Sequence, residues 1–213
     1  TIHSWAPAPT HLTAKLPKLT GVAVIPEGFN QVGAPGGEWD QALFQYLAGY
    51  REKPLWAWGE ADFHCPPGTL RIGTTLFYLH EFSREEVFKA IKQGRMVALM
   101  GEDFQEVFVT EFSVGSNKTP AREKIMLGKE VVLKGAPLVK FSLNKEVPLT
   151  EARLIRNGKV IYTTTSCKFQ YLDEEAYKKK PYCYYRVQLI GRGKLEPGKA
   201  NLLFTNPIFV RFQ

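Results

Sequence analysis

Beyond about Val107 the chain carries only short β-prone runs separated by turn residues, which restricts its second half to a sheet architecture. The runs fall at 107–114, 130–133, 138–143, 152–155, 160–164, 184–190 and 201–204, and no segment of helical apolar spacing is evident between them. Asn157-Gly158 is the sharpest local signal. Both central positions of a type I′ turn require positive φ, which Asn and Gly tolerate, so 152–155 and 159–162 are expected to form a hairpin. Strands of this number, without helices, predict an antiparallel Ig-like β-sandwich.

The first half reads differently. Gly21 to Ile25 is a short β-branched apolar run, a buried strand by its composition. A Gly/Pro-rich loop from Gly28 to Gly37 leads to Glu38-Trp39-Asp40, which opens a helix with Ala42, Leu43, Tyr46 and Leu47 on one face. Strand-like runs follow at 55–58 and 74–79. Ser83 and Glu86 form a capping box, the helix behind it is expected to bury Val87, Phe88 and Ile91, and Gly94 closes it. Met96 to Met100 returns as a strand. Alternation of this kind predicts parallel pairing, as in a barrel or layered sheet. The chain is therefore read as α/β followed by all-β, with units at 1–112 and 113–213.

With 44% apolar residues the chain can fill a core, and with 23% charged residues it does not have the composition of a disordered protein. The net charge of +7 favours an anionic partner, although the basic residues are dispersed. The one tight run, Lys178-Lys179-Lys180, reads as a solvated loop. Three cysteines, Cys65, Cys167 and Cys183, contain no CxxC pair, which fits a reducing, cytoplasmic setting; a Cys167–Cys183 disulfide stays open. No apolar run approaches the ~20 residues needed to span a bilayer, so no membrane partner is expected.

Asp62-Phe63-His64 is the constellation most suited to chemistry. Residues two apart on an extended segment face one side, so a carboxylate and an imidazole converge where the 55–58 strand ends. That donor pair suits zinc, manganese or iron. A hydrogen-bonded pair at a sheet rim is the plainer alternative.

The stretch Trp56-Ala57-Trp58-Gly59-Glu60-Ala61-Asp62-Phe63-His64 resembles the last metal-binding motif of the polymerase-and-histidinol-phosphatase (PHP) family of phosphoesterases. The segment from Ser83 to Arg95 is similar to that family's downstream helix followed by Gly-Arg. Leu154 to Val160, Tyr184-Tyr185-Arg186-Val187 and Thr205-Asn206-Pro207-Ile208-Phe209-Val210 resemble the C-terminal domain of one PHP subgroup. The resemblance implies a partial (β/α) barrel joined to a β-sandwich, with Asp62 and His64 as metal ligands. Ile2-His3-Ser4-Trp5-Ala6-Pro7 resembles an earlier family motif, which would make His3 a third ligand, with Ser4 where proline is usual.

The family's His-x-His pair and its central ligands have no counterpart. The resemblance therefore implies the C-terminal fragment of a metal-dependent hydrolase acting on a phosphorylated small molecule or nucleotide, inactive by itself. The rival is a non-catalytic binding module derived from such a protein. A barrel lacking its first strands exposes a sheet edge, which predicts a homodimer through that edge, a rearrangement, or a longer parent protein. Nucleic acid is the least supported partner, because no motif accompanies the charge. Glu27 and Glu60 are further carboxylates near the motif. Trp39, Trp56 and Trp58 read as core and rim packing, Tyr182, Tyr184, Tyr185 and Arg186 as a strand with one buried face, and His11 and His80 as surface residues.

Overall fold

The computed structural model describes residues 18–25, 32–61, 73–179, 181–196 and 199–213. Its first part contains strand β1 (Gly21–Ile25), helix α1 (Glu38–Leu47), β2 (Trp56–Gly59), β3 (Gly73–Phe77), α2 (Arg84–Gln93) and β4 (Met96–Met100). The remainder contains β5 (Val109–Gly115), β6 (Glu130–Leu133), β7 (Leu138–Leu143), β8 (Leu149–Arg156), β9 (Lys159–Thr164) and β10 (Lys168–Leu172). A short helix α3 (Glu174–Lys179) then precedes β11 (Tyr182–Glu196), β12 (Lys199–Thr205) and β13 (Ile208–Phe212). Most of this is β-sheet. No helix among the described residues is long and apolar enough to cross a membrane.

An eight-stranded sheet forms the middle of the molecule, running β3-β4-β12-β11-β13-β6 with β8 and β9 added through β11. β12 and β13 follow one another along one edge of β11, and β8 takes the other edge. Alternate side chains of β11 therefore enter two different cores. Tyr185, Val187 and Leu189 pack with Phe112, Phe141 and Phe169, beneath the three-stranded sheet β10-β7-β5. Tyr184 packs on the opposite face with Trp39, Leu43, Phe204 and Phe209, beneath α1 and the two-stranded sheet β1-β2. Over Tyr184, Tyr185 and Arg186 neither face of β11 meets solvent, since each of the three is fully buried. The expectation of one exposed face is corrected here, because a second layer covers it.

The helices form where their local signals place them. In α1, Trp39, Ala42, Leu43 and Leu47 recur at three- and four-residue spacing and are buried. In α2, Ser83 accepts a hydrogen bond from the Glu86 amide, and Gly94 takes a left-handed conformation at φ 68°. The expected burial of Phe88 is corrected: the helix buries Glu86 and Ala90, Val87 and Ile91 are half-buried, and Phe88 is exposed with the Arg84 guanidinium over its ring.

Parallel pairing holds for β1 with β2, but β4 is antiparallel to both β3 and β12. The reason is local. The Tyr78 amide donates to the Arg95 carbonyl, continuing the β3–β4 ladder, so α2 is an excursion at a hairpin end and not a crossover. The expected absence of helices from the second half is also corrected. The Asp173 carboxylate accepts from the Ala176 amide and starts α3, which takes in Lys178 from the expected loop.

The Asn157-Gly158 turn forms as expected, with φ of 49° and 79°. It connects β8 to β9 and packs on the loop before α1, where a Cβ on Gly158 would lie 3.2 Å from the Gly36 Cα.

Candidate functional site

β1 and β2 run in one direction, and two side chains hold β2 against its neighbours. At the amino end, Asn206 acts as a substitute strand. Its Oδ1 accepts from the Ala57 amide at 2.7 Å, and its Nδ2 donates to the Ala57 and Met96 carbonyls at 3.0 and 3.1 Å. Asn206 is fully buried. At the carboxyl end, Thr75 of β3 receives the Gly59 amide at 3.0 Å and donates to the Gly59 carbonyl at 2.9 Å. The carboxyl ends of β2 and β4 and the start of β3 thus meet at one rim. Glu60 and Gly73 touch there so closely that Gly73 has no room for a Cβ.

On β4 the same rim continues into a 3-10 turn, Glu102–Phe104. Asp103 accepts from the Gly193 amide at 2.7 Å and from Asn201 Nδ2 at 2.9 Å, tying the turn to β11 and β12. Gly101 sits at φ 93° with the Asn201 amide oxygen where a Cβ would be, so only glycine fits. These groups build the rim; Asp103 is already engaged in holding it.

The residues expected to do chemistry lie beside this rim in the sequence. Asp62, His64 and His3, together with Glu27, Cys65 and His11, are outside the described residues. Glu60 is half-buried at the end of β2. Among the described residues no group of three or more His, Cys, Asp or Glu side chains is placed to hold a metal ion. His80 is exposed.

The chain matches no family model, no curated protein and no solved structure. Its functional reading therefore rests on its own residues and geometry.

Several residues near the motif have structural roles. Trp39 donates through Nε1 to the Leu55 carbonyl at 2.9 Å, and Trp56 to the Lys92 carbonyl at 3.0 Å, both from buried positions. Cys167 and Cys183 are buried and free, which closes the question of a disulfide between them. Burial pushes the Cys183 thiol up to about 12.

A cavity of about 460 Å³ opens at the other end of β2, among Tyr46, Trp56, Lys92, Arg95, Glu130 and Phe209. Its charges are mostly spent within the protein: Arg95 pairs with Glu86, and Glu130 with Arg211.

Sequence reasoning missed the most heavily bonded polar groups. Asp40 sits in the first turn of α1, where an acidic residue is ordinarily explained by the helix dipole. It is instead buried against Arg186 and Tyr184, far along the chain. Asp173 likewise gathers Arg156 and the Tyr185 hydroxyl. Only their pairing across the fold distinguishes these aspartates from surface ones.

Proposed function

We propose that the chain is the C-terminal part of a metal-dependent PHP-type phosphoesterase, a partial (β/α) barrel joined to a β-sandwich. The observation that supports this most is the placement of β2. The parallel strands β1 and β2 end at one rim, and the sequence continues from β2 through Gly59-Glu60-Ala61 into Asp62-Phe63-His64. Carboxyl ends of such strands are where α/β proteins assemble ligand sites. Asp62, His64 and His3 would hold a divalent ion of the zinc, manganese or iron class. A bound ion of this kind lowers the pKa of its water and so supplies the nucleophile.

The described residues contribute positioning. Asn206 and Thr75 fix both ends of β2, so the motif leaves a strand that cannot slide. The net charge of +7 favours a phosphorylated small molecule or nucleotide as substrate. The ligands supplied by these residues do not complete a multinuclear centre, so the 213-residue chain by itself is expected to be inactive.

The test is the metal content of the chain after dialysis against metal-free buffer, alongside Asp62→Ala and His64→Ala in the complete protein. Retained metal, lost together with turnover in both variants, supports the reading. Turnover that survives both substitutions removes Asp62 and His64 from the site.

A second reading is a non-catalytic interaction module. It is favoured by one feature of the sandwich, an exposed strand edge at β9 that no described strand covers.

A further inference from the structure

The cavity of about 460 Å³ lies at the amino end of β2, away from the rim formed at Gly59. Its volume falls within the roughly 300–1,000 Å³ of small-molecule sites. Segments far apart in the chain build it: Tyr46 from α1, Trp56 from β2, the end of α2, the turn before β6, and Phe209 from β13. Close packing fixes its walls. The Tyr46 and Trp56 rings lie 4.9 and 6.1 Å from the Phe209 ring. Gly128 has φ 73°, and a Cβ there would fall onto the Gln93 carbonyl oxygen, so the turn lies directly against the end of α2.

The charged groups around it are nearly all engaged. The guanidinium nitrogens of Arg95 donate to Gln93, Tyr78 and Glu86. Lys129 donates to both carboxylate oxygens of Glu123, and Glu130 accepts from Arg211 and from the Tyr46 hydroxyl. A helix end ordinarily adds negative potential through its free carbonyls. At α2 those carbonyls are occupied. Ala90 and Ile91 accept from the Arg95 and Gly94 amides, Lys92 accepts from Trp56 Nε1, and Gln93 is covered by Gly128. The Lys92 ammonium is the exception: it is exposed and has no ion-pair or hydrogen-bond partner among the described residues.

We propose that this cavity binds a small aromatic carboxylate, its ring against Tyr46, Trp56 and Phe209 and its carboxylate on Lys92. The ring follows from the walls, because aromatic side chains favour offset or edge-to-face contact with another ring. The single negative charge follows from the pairing around the cavity. Arg95 and Lys129 are each matched by a carboxylate of the protein, which leaves one cation for the ligand. A polyanion such as a phosphate ester finds no second free cation among the described lining residues. The proposal is independent of the phosphoesterase reading, since no residue of the rim lines this cavity.

The experiment is an NMR titration of the isotope-labelled full chain with cinnamate and with cinnamyl alcohol, its neutral counterpart of similar shape. The reporter is the Trp56 indole N–H, which donates to the Lys92 carbonyl beside the cavity. For so small a ligand, a saturable shift with Kd on the order of 1 mM is expected for cinnamate. The alcohol should bind about fivefold more weakly, the scale of one solvent-exposed ion pair. Lys92→Gln should bring cinnamate to the level of the alcohol, and Lys92→Arg, which keeps the charge, should retain the difference. Unchanged thermal unfolding of both variants separates lost binding from lost folding. No shift of the reporter up to ~20 mM cinnamate overturns the proposal. Equal affinity of the two probes, or undiminished cinnamate binding in Lys92→Gln, does the same. So does broadening of the reporter with protein concentration alone, because a second copy then covers the cavity.

Discussion

Arg186 and Asp40 form a bidentate pair inside the molecule, Nε donating to Oδ1 and Nη2 to Oδ2 at 2.6 Å each. The Arg186 guanidinium also lies 4.8 Å from the Trp39 ring, and the Tyr184 hydroxyl donates to Asp40 at 2.7 Å. One residue belongs to α1 and the other to β11, so the pair joins the first part of the chain to the central sheet. Removing one partner strands the other's charge in the core. Asp40→Ala is expected to cost about 3–5 kcal/mol, measured by denaturant unfolding. A loss below ~1 kcal/mol would show that solvent reaches Arg186.

Asn206→Ala removes three hydrogen bonds and leaves the Ala57 amide and carbonyl without their side-chain partner. Each buried group left unsatisfied costs about 1–3 kcal/mol. Hydrogen exchange should report the loss first at the Ala57 amide, which becomes the weak point of β2. Unchanged protection of Ala57 would mean that β2 is held by other contacts.

Glu86 is buried beside Arg95, whose hydrogen bond holds the carboxyl below the ordinary value of 4.5. A depressed folded-state pKa contributes stability that is present above the unfolded value and is lost as pH falls through the folded one. Acid unfolding should therefore be steeper below about pH 4.5 in the parent chain than in Glu86→Gln. Equal slopes would show that the pair carries no linkage.

Thiolate is the reactive form of cysteine, and burial raises the Cys183 thiol to about 12. Cys167 is raised in the same direction by burial. Peptide-resolved alkylation at pH 8 should leave both unmodified in the folded chain and label both in denaturant. Labelling of Cys183 under native conditions would mean that β11 opens locally.

The local elements were legible in the sequence because their signals are short-range. The Ser83 cap, the left-handed Gly94 and the Asn157-Gly158 turn each depend on a few neighbouring residues, and each formed at its expected place, whereas the Glu86 half of the capping box did not: the Ser83 amide donates to the Glu81 carbonyl and the Glu86 carboxylate pairs with Arg95. The apolar spacing of α1 and the β-branched runs likewise follow from side-chain periodicity alone. The motif at Asp62 and His64 was legible as a spacing, and both residues lie outside the described residues.

Tertiary structure alone decided how those elements pair and which polar residues are buried. Tyr184, Tyr185 and Arg186 look like one strand of alternating faces, yet both faces are covered, because α1 packs on one side and β5, β7 and β10 on the other. Asp40 and Arg186 are 146 positions apart, and no local pattern marks them as partners. Strand direction was also beyond local reading. A helix between two strands serves a crossover or a hairpin excursion equally well, and the Tyr78–Arg95 hydrogen bond selects the second. Local sequence restricts backbone conformation, whereas burial and charge pairing depend on which distant segments meet.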